Sequence, residues 1–322
     1  MNMNNFLNIL RKIKRTPKLQ LDNAIDSTKD ALTQKENLII TAANSDYFKF
    51  FSVFIKSLRK NASYKGKIVV CNYAAAKFKS NQDFDLSFKE DEIKFLKEYD
   101  VEVISFRDLL AKNGISFEEI NAINTEHHSH PFKFIYGTLI SKEYLYKADN
   151  IILIDADSYF QKPIEVVFAQ IKEGNIYGTR EYRQPRDDMW YQDAVFYSDF
   201  SRLSDSHYFK SKIMKSKIVG GNFFVGKAKD FHCFMILSWL LSSNSFIKFH
   251  SDLPLVSILA NYLNHPIKII EHKYICSLSG TGDKCRFDSD RKIFTFGKNI
   301  PPVIHFNGLV GRKIFEENGQ FL

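Results

Sequence analysis

Two kinds of apolar pattern alternate along the first half of this chain. Contiguous apolar runs mark buried strands, while apolar positions recurring every three or four residues mark helices that bury one face. Residues 37–44 predict a strand running into a loop of small residues, and residues 47–59 a helix with Phe48, Phe51 and Ile55 on one face. A strand at 67–71, a helix at 91–99 and a third strand at 101–104 follow. Pro131 opens a helix continuing to Tyr146, with Ile135, Leu139 and Tyr146 facing the core. Ile151–Ile154 is a fully apolar strand ending at Asp155. Strands alternating with helices at this pace predict a mostly parallel α/β sheet.

The second half is less regular. Strands are expected at 174–179, 219–225 and 266–271, and a polar loop at 181–188. Helices are expected at 229–242 and around Leu253, Val256, Ala260 and Leu263. The chain shows no internal repeat. Near the start, Phe6, Ile9, Leu10 and Ile13 share one helical face, with Arg11, Lys12, Lys14 and Arg15 largely on the others. Residues 1–30 therefore read as a basic amphipathic segment, the stretch 28–35 as the linker across the boundary, and residues 31–322 as a single α/β domain.

Charge sharpens this division. The net charge is +8, and residues 1–21 carry five basic side chains (Arg11, Lys12, Lys14, Arg15, Lys18) with no acid. The body is nearly balanced, which argues against a nucleic-acid partner. A basic amphipathic helix suits an anionic membrane surface, or packing on its own domain or a second copy. The longest apolar run, Phe234–Leu241, is too short to span a bilayer. The basic residues follow the first apolar stretch and no small-residue cleavage site comes after, so no secretory signal is expected. Four scattered cysteines do not make a disulfide framework, and Cys276 and Cys285 read as ordinary half-buried thiols. Together these place the protein in the cytoplasm, peripheral on the inner membrane where the basic segment binds lipid.

The chemistry concentrates after Ile154. Asp155 and Asp157 stand two apart at the carboxyl end of a buried parallel strand, where open α/β sheets bind ligands. In an extended segment such residues point the same way and reach one hard cation, Mn2+ or Mg2+, of the kind that bridges carboxylates to phosphates. The bland alternative is a loop whose acids cap the next helix. The histidines at 127, 128 and 130 read as a solvated loop or acceptor contacts. Arg180 and Arg183, with Glu181, Asp187 and Asp188, form a charged loop suited to sugar hydroxyls or to water.

The stretch from Tyr146 to Ile164, with Asp155-Ala156-Asp157 at its centre, resembles the core of GT-A nucleotide-sugar glycosyltransferases, and most closely glycosyltransferase family eight. Residues 38–47 resemble that family's nucleotide-binding start. His305, Phe306, Asn307 and Gly308 resemble the first half of its H-x-x-G-x-x-K-P-W motif, although the Pro-Trp is missing and the basic residues come at Arg312 and Lys313, which suit the diphosphate or plain surface charge alike. Gly220–Gly226 and then His250-Ser251-Asp252 resemble two blocks of the retaining blood-group-type galactosyltransferases. The resemblance implies a GT-A fold with a nucleotide-binding half at 31–160 and an acceptor half at 161–322. It implies a metal on Asp155, Asp157 and His305. The donor, a nucleotide-diphosphate sugar and foremost a UDP-sugar, would meet Thr41, Ala42, Ala43, Asn44, Tyr47, Lys133, Asp155, Ala156, Asp157, Gly308 and Lys313. A saccharide or glycolipid acceptor would meet Gly221, Asn222 and His250, and Asp252 would be the catalytic carboxylate.

Alternatives stand beside these. Asp252 precedes Leu253 and Pro254 at a helix start, where capping alone accounts for it. Asp155-x-Asp157 after an apolar strand also fits a haloacid-dehalogenase-like phosphatase, although Tyr159 stands where Thr or Val is expected. A non-catalytic membrane-surface scaffold is the third reading.

Overall fold

A computed structural model of the chain describes residues 35–72, 87–115, 132–180, 218–242, 252–261, 267–278 and 284–318, with positions 211, 214 and 215. The basic segment, the 127–130 histidines, Arg183, Asp187, Asp188, His250 and Leu263 lie outside them. The strands are β1 (Glu36–Ala43), β2 (Lys67–Asn72), β3 (Val101–Ser105), β4 (Ala148–Ile154), β5 (Ser158–Phe160), β6 (Ile176–Arg180), β7 (Val219–Lys227), β8 (Ile267–Ile269), β9 (Ile275–Ser277), β10 (Cys285–Asp288), β11 (Ile293–Phe296) and β12 (Val303–His305). The helices are α1 (Phe48–Lys60), α2 (Glu90–Glu98), α3 (Phe106–Lys112), α4 (Phe132–Tyr144), α5 (Glu165–Phe168), α6 (Ala228–Ser242), α7 (Asp252–Asn261) and α8 (Gly308–Asn318).

Seven strands form the central sheet in the order β3-β2-β1-β4-β7-β6-β8. The β3-β2-β1-β4 half is parallel throughout, as strands joined by helical crossovers must be. β7 enters antiparallel to both β4 and β6, so it begins at the end where β4 finishes. The strict alternation of a strand sorts its apolar residues to two faces. Leu38, Ile40, Val69 and Cys71 pack with α3, α4, α6 and α7 on one side. Ile39, Ile68 and Val70 pack with Phe51, Phe54, Ile55 and Leu58 of α1 on the other.

Helix α4 departs from the amphipathic pattern. Phe132 to Ser141 are all buried, as in a helix that runs through a core. It ends at Tyr144, two residues before the expected stop, and Tyr146 is exposed rather than core-facing. Its burial carries Lys133 into the interior.

A small sheet, β5-β12-β9, lies beside the main one. β12 runs antiparallel to β5, with His305 opposite Ser158, and the Phe306 amide donates to the Asp157 carbonyl at 2.9 Å. A third apolar cluster, including Phe294, Ile304, Phe306 and Phe315, seats α8. Gly308 opens that helix at φ +65°, a left-handed conformation that favours glycine.

Candidate active site

The acidic pair does not sit on extended backbone. β4 stops at Ile154, and Asp155-Ala156-Asp157 forms a turn before β5. The turn is held at both ends: the Asp155 amide donates to the Asn222 carbonyl at 3.0 Å, and the Asp157 carbonyl accepts from Phe306. Strand alternation is therefore not what makes the two carboxylates converge. Their meeting point is His305 on β12, whose Nε2 lies 3.0 Å from Asp157 Oδ1 and 3.7 Å from Asp155 Oδ2.

Asp155, Asp157 and His305 each offer a ligand atom, and these atoms lie within 4.8 Å of one another. Two carboxylates with one imidazole form a donor set that Mn2+ accepts, as does Mg2+ with its stronger oxygen preference. Burial alone would raise the Asp157 carboxyl. The His305 imidazole, the local backbone and the more distant Arg312 outweigh it and hold the group below its ordinary range. The carboxylate form needed to bind a cation is thus favoured.

Lys133 occupies the next position inward. Its Nζ lies 2.6 Å from Asp252 Oδ2 and 3.2 Å from Asp155 Oδ1, and it donates to the Gly221 carbonyl at 2.8 Å. Lys133 and Asp252 are both buried. Asp252 is the first residue of α7, and its carboxylate pairs with Lys133 from that helix start. Gly221 allows this approach: a Cβ built there would fall on the Asp252 carboxylate. Asn222, one residue on, accepts from the Thr179 hydroxyl through its side-chain oxygen at 2.6 Å.

The expected nucleotide wall ends β1. Thr41 and Ala43 are buried, with Ala43 packed in the α1 core, and Ala42 is half-buried on the opposite face. The Asn44 side chain caps the following turn by accepting from the Tyr47 amide at 3.0 Å. The Tyr47 hydroxyl donates to Asp157 Oδ2 at 3.5 Å and accepts from Arg312 Nη2 at 3.0 Å. Burial first, and then the Asp157 charge, push the Tyr47 phenol well above its ordinary range, so it stays protonated. Ala156 is buried in the core beneath the turn.

Of the two basic residues on α8, Arg312 faces the site, with its guanidinium 5.8 Å from the Tyr47 ring centroid. Lys313 is exposed and pairs with Glu317 at 3.8 Å. The sequence offered both Arg312 and Lys313 to the diphosphate. Arg312 is the one that reaches inward, because it lies next to Gly311, where α8 touches the Phe306 backbone so closely that a Cβ would collide.

This fold is shared with known structures. Mouse xyloside xylosyltransferase 1, in its apo form, superposes with a TM-score of 0.50 at 13% identity, covering 84% of this chain and 96% of its own. The galactosyltransferase LgtC, in complex with donor and acceptor sugar analogues, gives a TM-score of 0.51 at 12% identity over 88% and 95%. The chain has a GT-A fold. The bifunctional glycosyltransferase WbbM also matches, with a TM-score of 0.50 at 11% identity, over 87% of this chain and 47% of its own. No protein-family model and no curated protein sequence matches the chain.

Proposed function

We propose that the chain is a metal-dependent glycosyltransferase moving a sugar from a nucleotide-diphosphate donor to a saccharide or glycolipid acceptor. The observation that carries this reading is the Asp155–Asp157–His305 cluster, set at the carboxyl end of β4 within a GT-A fold. Mn2+ or Mg2+ held there supplies a Lewis acid for the charge that develops on a leaving diphosphate.

The chain's own residues do the rest. Asp155, Asp157 and His305 hold the cation, and the Phe306 and Asn222 backbone contacts fix the turn that presents them. Asn44, Tyr47 and Ala42, with the backbone of Thr41, Ala43 and Ala156, form the wall for the base and ribose, which we take to be those of a UDP-sugar. Arg312, one of the two basic residues the sequence offered for the diphosphate, supplies cationic hydrogen bonds to phosphate. Gly308 lets the chain turn into α8 beside it. On the acceptor side, Gly221 and Asn222 line the inner end and His250 belongs to the same half.

Asp252 is the carboxylate for the sugar carbon, and the ion pair with Lys133 holds it in place. The resemblance to two retaining families supports net retention, through attack by Asp252 or front-side attack guided by the leaving phosphate. Residues 31–160 then serve the nucleotide and 161–322 the acceptor. The basic 1–30 segment fits work at the cytoplasmic face of a bacterial inner membrane, in lipopolysaccharide or capsule assembly.

Incubation with a panel of nucleotide sugars and Mn2+ tests this reading. One donor should lose its sugar slowly to water, faster with acceptor, and should raise the melting temperature together with the metal. Stabilisation by phosphate mimics alone, with no donor hydrolysed, would return the phosphatase reading.

A further inference from the structure

A buried acid, Glu92 of α2, stands beside the turn that follows β1. It is 7% exposed, and among the described residues no cation pairs with it. Burying a carboxylate without a cation is costly, so hydrogen bonds must hold it. Both oxygens are used. Oε2 accepts from the Lys89 amide at 2.8 Å, and Oε1 accepts from the Ser45 hydroxyl at 3.1 Å. The first contact is the ordinary reach of a first-turn Glu back to the residue before its helix, and it needs one oxygen only. The second joins residues 47 apart in sequence, so helix capping does not account for it.

Ser45 opens the single helical turn Ser45–Tyr47 between β1 and α1. That turn is closed from within: the Tyr47 amide donates to the Asn44 carbonyl at 3.1 Å and to its side-chain oxygen at 3.0 Å. Such bonds fix the shape of the turn but not its place against the rest of the fold. Contacts with α2 and the residue before it supply the place. Phe48 meets the rings of Phe88 and Phe95 edge-on, with centroids 6.0 and 5.4 Å away. This apolar packing resists separation without setting a direction. The Ser45–Glu92 bond is directional and sets it. At the other end of the turn the Tyr47 hydroxyl donates to Asp157 at 3.5 Å, so a displaced turn would also disturb a contact to the acidic pair.

We propose that Glu92 is a positioning residue for the donor: through Ser45 it sets the turn that offers Asn44 and Tyr47 to the nucleotide. The part of that turn in donor binding rests on the transferase reading, while the tie between Glu92 and the turn does not. Base and ribose lie away from the bond that breaks. The tie therefore acts on donor affinity and leaves the chemical step alone.

The test compares the full chain with Ser45→Ala, Glu92→Gln and Glu92→Leu. UDP binding in the presence of Mn2+ is measured by titration calorimetry, donor hydrolysis by steady-state kinetics, and amide hydrogen exchange by mass spectrometry of peptides covering residues 44–48. Ser45→Ala keeps the Lys89 contact and loses the tie. UDP affinity should fall about tenfold, the size of one hydrogen bond to a charged group, and donor KM should rise alike with kcat unchanged. The Tyr47 amide should exchange faster. Glu92→Leu should do the same, whereas Glu92→Gln should match the unaltered chain, because its amide can accept from Lys89 and donate to Ser45. Should Glu92→Leu fail to fold, Ser45→Ala and the Gln variant decide. Unchanged UDP affinity in Ser45→Ala, a loss in kcat rather than in KM, or no rescue by Gln overturns the proposal. If the unaltered chain neither binds UDP nor hydrolyses a donor, the transferase reading fails, and unchanged Tyr47 exchange in Ser45→Ala then overturns the tie itself.

Discussion

Lys133 Nζ lies 2.6 Å from Asp252 Oδ2, joining a helix that starts before the acidic strand to one that starts far beyond it. Both side chains are buried, so removing the ammonium leaves a carboxylate without its partner. Lys133→Met should cost about 3–5 kcal/mol of folding stability, read as a lowered urea midpoint. Asp252→Asn should cost less, because an amide oxygen still accepts from Lys133, while turnover falls steeply and donor affinity barely changes. A near-normal kcat in the Asn variant would reduce Asp252 to an anchor for Lys133 and α7.

Metal dependence follows from the three-residue cluster. Asp155→Asn and Asp157→Asn each remove an anionic oxygen from a hard-cation site and should abolish transfer. Circular dichroism should remain unchanged, since the turn is held by backbone bonds to Asn222 and Phe306. Full activity in excess chelator would contradict the assignment.

The parallel half of the sheet was legible because its strands are contiguous apolar runs, and Ile151–Ile154 leading into Asp155 located the site. Strands β5, β9 and β12 are three residues long, each with two apolar positions, too short for periodicity to separate from loop. Helix α8 carries glycines at 308 and 311, which read as loop until Phe306 and Phe315 are seen to pack. The sequence offered Lys133 and Asp252 as separate candidates. Their contact depends on α4 being buried all round and on β7 entering antiparallel, and neither property leaves a local signal.

Acid should weaken the fold partly through His232. Burial, then the Lys142 charge, hold its imidazole below the ordinary pKa, against a backbone contact from Thr138. The unfolded chain, with a histidine near 6.5, therefore binds the proton more readily than the folded one. Stability falls as pH drops below about 6.5, until the folded imidazole also protonates. His232→Asn should flatten this part of the curve, with urea midpoints measured between neutral and mildly acid pH. The Ser141 hydroxyl lies 2.8 Å from His232 Nδ1, a contact an amide can replace. An unchanged slope would assign the acid sensitivity to other groups.

The basic segment at 1–20 should bind vesicles of anionic lipid with an affinity that falls as salt rises. Each basic residue near the surface contributes roughly 1 kcal/mol. Its deletion should release the protein while leaving turnover on a soluble acceptor intact. Equal vesicle binding with and without the segment would contradict the assignment.

Arg312 and Lys313 are neighbours in sequence, both exposed, with different partners, which makes them a sharp comparison. Arg312 reaches the Tyr47 hydroxyl, itself bonded to Asp157, whereas Lys313 points to solvent beside Glu317. A diphosphate anchored at the acidic turn would meet the guanidinium and not the exposed ammonium. Arg312→Gln should weaken donor affinity about tenfold or more, the cost of a lost charge-assisted contact. Lys313→Gln should leave donor affinity within experimental error, because an exposed ion pair contributes little. Measured donor KM values in the reverse order would restore Lys313 as the phosphate contact and require α8 to turn when the donor binds.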